Sequence, residues 1–191
     1  MEPTRRPRAT ALGSFATLGN GMDDAYVAKV RACKKVHERA CYLRGRFLNS
    51  VAVIEHDISA ILTEYFCTED ETKRELFFSE IAGGMSLNAK RELLVKIVKR
   101  DYPRYWDENG QFLKDLEKIQ TLRNKLAHSI VDVSDVALAR PIEEGVGFVQ
   151  WKDGQPITEQ EFEDWEVKAN MVLSTLSDIK GLLPFKERPV A

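Results

Sequence analysis

From Asp24 to Phe66 the chain contains no proline and a single glycine, Gly45. Within that stretch Phe47, Val51, Ile54, Ile58, Ile61, Leu62 and Tyr65 recur every three or four residues. This is the period of one buried α-helical face, not the two-residue alternation of a half-buried strand. Asp23 and Asp24 suit the start of such a helix, where unpaired N–H groups carry partial positive charge. The helix is expected to run from about Asp24 to Phe66, either unbroken or bent at Gly45.

The remaining punctuation divides the chain into further helices. Glu69 to Ile81 reads as a second helix with Leu76, Phe77 and Ile81 apolar, stopped by Gly83-Gly84. Ser86 can cap a third, Leu87 to Asp101, with Leu93, Leu94, Ile97 and Val98 inward. Pro103 ends it. Tyr102, Tyr105 and Trp106 are placed in the loop after it, as lids on the core. Past an Asn109-Gly110 turn, Phe112, Leu113, Leu116, Ile119, Leu122 and Leu126 mark a fourth helix, and the pattern breaks by Asp132 to Asp135. Residues 136–157 change character. Val146, Phe148 and Gln150 alternate with Gly147, Val149 and Trp151, Lys152-Asp153-Gly154 is a turn signal, and Pro156 limits its own segment to a sheet edge. A small β-hairpin insertion is expected there. Thr158 with Glu161 forms a capping box for a last helix, carried by Trp165, Val167, Met171, Leu173, Leu176 and Ile179 to about Lys180, with Gly181 as its stop. The fold class is all-α: a four- to five-helix up-and-down bundle with a small β-hairpin insertion. Residues 1–22 read as a flexible leader, 23–182 as the helical domain and 183–191 as a flexible tail.

Composition narrows the function classes. The net charge of −2 gives no global attraction to nucleic acid. The distribution is uneven: residues 23–46 hold seven Lys/Arg against three Asp/Glu, and residues 141–166 hold eight acidic groups against Lys152. This permits either a basic groove or two solvated faces of opposite sign. Cys33, Cys41 and Cys67 are at no metal-ligand spacing and read as buried structural thiols in a reducing, cytoplasmic setting. Cys33, His37 and Cys41 share a helix face but lack a fourth ligand, and His56 is expected to be partly buried beside Ile54 and Ile58. No apolar run approaches the ~20 residues that span a bilayer, so no membrane role is expected.

The densest polar chemistry closes the fourth helix, where Ile119 to His128 reads Ile-Gln-Thr-Leu-Arg-Asn-Lys-Leu-Ala-His. Asn124 and His128, four apart, share a helical face. Arg123 and His128, five apart, lie roughly 140° apart around an ideal helix. For both to reach one phosphate, either the helix frays before His128 or two copies of the motif meet. Histidine can both take a proton from a 2′-hydroxyl and give one to a departing 5′-oxygen near neutral pH. Arginine offers a planar fork of donors to a phosphorane. The bland reading is a helix end whose cations answer the helix dipole.

Arg123-Asn-Lys-Leu-Ala-His128 resembles the signature of the HEPN superfamily: Arg, four to six residues, then His, often with Asn after the Arg and a small residue before the His. Ile54-Glu55 resembles the apolar-Glu pair on the early helix of several HEPN branches. At Ile130 the chain departs from the toxins paired with nucleotidyltransferases, which carry Tyr there, so no role of that Tyr carries over. The resemblance implies a homodimeric endoribonuclease needing no metal and no cofactor, with Arg123 and His128 catalytic, Asn124 supporting, and Glu55 orienting the motif from behind. It further implies an RNA substrate, a toxin–antitoxin or defence setting, and an antitoxin or regulatory protein as partner. Some HEPN domains are instead inactive dimeric modules that bind a protein or nucleotide. A third alternative is a plain helical interaction domain whose motif is a chance helix cap.

Overall fold

The computed structural model describes residues 23–67, 70–150 and 158–183. The leader 1–22, residues 184–191 of the expected tail, the turn signal Lys152-Asp153-Gly154 with Trp151 and Pro156, and the expected helix start at Glu69 lie outside these residues.

Helix α1 spans Asp24–Phe66 without interruption, so Gly45 makes no bend. The Asp23 carboxylate accepts the Ala25 N–H at 3.1 Å and caps it. Phe47, Val51, Ile54, Ile58, Ile61 and Leu62 are all buried, and Val36, Ala40 and Leu43 extend the same stripe toward the N-terminus.

Helix α2, Glu71–Leu76, is capped by Asp70 and passes directly into a π-helical turn over Phe77–Ala82. The expected inward face is not the observed one: Leu76 and Ile81 are more than half exposed, and only Phe77 rests on the core. A π turn bonds i to i+5, so a spacing counted at 3.6 residues no longer names the face. The turn closes with the Gly83 N–H donating to the Phe78 carbonyl at 2.8 Å. A Cβ at Gly83 would stand 2.3 Å from the Ser79 carbonyl oxygen, so only glycine fits.

Helix α3 covers Leu87–Asp101 with Ser86 as its cap. The aromatic segment after it is not a loop. Pro103 opens a short helix α4, Pro103–Asn109, because proline lacks the N–H that a first turn leaves unpaired anyway. Tyr102, Tyr105 and Trp106 do rest on the core, and the Tyr105 hydroxyl donates to the Thr175 carbonyl at 3.3 Å. Helix α5, Gln111–His128, comes next, with every expected apolar residue buried.

Strand β1, Ser129–Val131, begins at once and pairs antiparallel with β2, Phe148–Gln150. The β excursion therefore starts before the expected insertion. The partner of Phe148–Gln150 is the segment that leaves the motif, with helix α6, Asp135–Ala139, and a 3-10 turn between the strands. Val146 and Phe148 point into the core, as their alternation requires. Helix α7, Glu159–Leu182, carries the expected capping box. Gly181 lies inside its last turn, and Leu183, assigned to the tail, is buried at the helix end. Val167 and Met171 face solvent; the core stripe is Phe162, Ala169, Val172, Leu176 and Ile179.

Side-chain pairs fix the directions. Arg39, Arg46 and Glu64 of α1 meet Glu159, Glu166 and Lys180 of α7 in the same order, so these helices are parallel. Glu55 and Tyr65 meet Lys90 and Asp101, so α3 is parallel to α1 as well. The π turn returns past α1, with Phe78 5.3 Å from the His56 ring. Helix α5 runs down: Glu117 pairs with Arg91, while its end lies beside Arg44. The chain goes up, down, up, down, up. The two charge surpluses also find one another. Basic Arg39 and Arg46 pair with acidic Glu159 and Glu166 across the α1–α7 seam, so they form neither a free basic groove nor two separate faces.

Candidate active site

The last turn of α5 carries Arg123, Asn124 and His128, all three exposed. The helix does not fray before His128. One of the two ways of joining Arg123 and His128 is thereby removed. On an unbroken helix they stand about 140° apart and about 7.5 Å along the axis. The Arg123 guanidinium donates to Asn124 Oδ1 at 3.2 Å, so Asn124 faces Arg123 and not His128. Among the described residues no hydrogen bond or ion pair reaches His128, and its imidazole is left free for a ligand. The exposed flank carries Lys125 besides Arg123, and no acidic residue occurs between Lys118 and Val131. That end of the helix is cationic.

Why these side chains face outward is explained by the apolar ones. Leu122 and Leu126 are buried on one side, and the buried Ser129 hydroxyl donates to the Leu126 carbonyl at 3.2 Å. Positions 123, 124, 127 and 128 fall on the remaining arc.

Glu55 does not stand behind the motif. Its Oε1 accepts from Lys90 Nζ at 2.8 Å, and that ammonium is only 4 % exposed. A buried ammonium requires an anion beside it, and Glu55 fills that need. His56 is exposed with its ring edge against Phe78, and not partly buried. The thiols are not buried either: Cys41 is exposed, and Cys33 and Cys67 are half-buried. Cys41 Sγ lies 3.6 Å from His37 Nδ1, beside Cys33 and Val133 in a groove of about 580 Å³. Among the described residues no group of three or more His, Cys, Asp or Glu is placed to hold a metal ion.

One neighbour of the motif gives no sign of itself in the sequence. Arg44 of α1 donates from Nη2 to the Ser129 carbonyl at 2.9 Å, one peptide unit past His128. Its guanidinium lies over the Phe148 ring, 5.0 Å from the centroid. No spacing rule joins Arg44 to a segment 85 residues away.

The chain matches no family model, no curated protein and no solved structure.

Proposed function

We propose that this chain is a metal-independent endoribonuclease of the HEPN type that cleaves RNA at a site shared by two copies. The observation that carries the reading is the motif helix. It runs unbroken to its end with Arg123, Asn124 and His128 in solvent and no protein partner on the imidazole among the described residues. A histidine kept for packing or helix capping ordinarily finds an acceptor or an apolar wall; this one has neither. The divergence of Arg123 from His128 calls for a second copy, related by a two-fold axis near the helix end.

In that assembly one His128 takes the 2′-hydroxyl proton while O2′ attacks the neighbouring phosphorus. The other gives a proton to the departing 5′-oxygen. The P–O5′ bond breaks as the P–O2′ bond forms, leaving a 2′,3′-cyclic phosphate and a 5′-hydroxyl. Arg123 steadies the extra negative charge of the phosphorane, and its bond to Asn124 limits the directions it can take. The biological setting is a toxin or defence system in which a second protein restrains the activity.

The test is cleavage of single-stranded RNA by the full chain in the presence of a metal chelator. Wild type should give cyclic-phosphate ends. His128→Ala should lower the rate by about 10²–10⁴-fold without altering melting or dimerisation. Unchanged cleavage by that variant overturns the proposal. A dimer that binds RNA or a protein without cutting identifies an inactive module instead.

A further inference from the structure

We infer that Arg44 is a positioning residue for His128: it ties the helix-to-strand junction that presents the imidazole to helix α1. The kinetic part of this inference rests on the ribonuclease reading.

Helix α5 ends without the left-handed glycine that closes many helices. Ser129 is already extended, with φ −87° and ψ 151°, and it is the first residue of β1. The last carbonyls of such a helix have no partner within it. The Ser129 hydroxyl takes one of them, at Leu126. Arg44 holds the next stretch of backbone, through the 2.9 Å bond to the Ser129 carbonyl. It also touches the other strand, since Phe148 beneath its guanidinium is fully buried and is the register partner of Val131. One side chain thus fastens both strands of the small sheet to α1. His128, directly before the first of them, has no side-chain bond of its own among the described residues to hold it.

The chemistry of the contact argues against simple space filling. Arg44 Nε is buried without a hydrogen-bond partner. An orphaned buried N–H is costly, and an apolar side chain of the same length would fill the space without it. What only a guanidinium supplies here is a donor to the junction, a flat face for Phe148 and a positive charge at the negative end of the α5 dipole.

The experiment uses the full chain with Arg44→Met, Arg44→Lys and Phe148→Leu, and two readouts. For RNA cleavage, Arg44→Met should lower kcat by about 10- to 100-fold with KM unchanged, because a displaced proton carrier slows chemistry more than binding. Arg44→Lys should recover part of the loss. In spectra of histidine-labelled protein, the His128 ring signals should shift or broaden in Arg44→Met, and the Ile130 amide should exchange faster. Wild-type kcat together with unchanged His128 signals overturns the inference. If wild type does not cleave RNA, the ribonuclease reading falls and the spectra alone decide the role of Arg44. Should Arg44→Met fail to fold, the other two variants carry both readouts: a lowered kcat or a shifted ring signal supports the role, and wild-type values in both overturn it.

Discussion

His128 and Glu55 mark the two extremes of what a residue's sequence neighbourhood discloses. Arg123, Asn124 and His128 were legible because the buried leucines around them fix which arc of the helix is free. Glu55 was not, because its partner Lys90 lies on another helix and its need for an anion appears only when the bundle closes. Replacing Glu55 by Gln leaves the Lys90 ammonium without its counter-charge. The cost is expected to be about 2 kcal/mol, below the ~3–5 kcal/mol of a fully buried pair, since the Glu55 side chain is 35 % exposed. Chemical denaturation measures it. Cleavage by the folded variant should stay at the wild-type rate, and a specific loss of kcat would restore Glu55 to the site. Arg44 was invisible for the same reason as Lys90: long-range polar contacts leave no periodic trace.

At the scale of elements, the spacing of apolar residues gave α1, α3, α5 and α7 nearly to the residue, and local chemistry set their ends. It failed where the backbone left the 3.6-residue period, in the π turn after α2, and where proline opened a helix, α4, after closing one. Gly45 sits mid-helix with nothing within 4 Å of a Cβ placed there. Gly45→Ala should therefore stabilise the protein by about 0.5–1 kcal/mol, read as a raised denaturation midpoint at constant slope. Asp70 accepts the Lys73 N–H at 3.1 Å, and that bond, aided by the Lys73 side chain, lowers its pKa below the ordinary aspartate value. A lowered folded pKa gives a contribution present above the unfolded value and lost as pH falls through the folded one. Helix α2 should fray first on acidification below the usual aspartate range, seen as faster amide exchange at Lys73 and Arg74. Asp70→Asn, which keeps an acceptor but cannot titrate, should show no such pH dependence; fraying at the same pH in that variant would remove Asp70 as the cause.

Across the whole molecule, the bundle and its alternating directions come from short connections between amphipathic helices, and the meeting of basic α1 with acidic α7 comes from their parallel packing. Neither arrangement completes a site in one chain, because a straight helix holds Arg123 and His128 apart. The shared site is therefore tested most directly by mixing. A fixed amount of wild-type chain is exchanged with increasing amounts of His128→Ala chain, and RNA cleavage is measured at each ratio. If two copies supply base and acid to one phosphodiester, activity per wild-type chain falls toward zero as mixed dimers replace wild-type ones. Activity that stays proportional to the wild-type chain, whatever is added, would contradict the account.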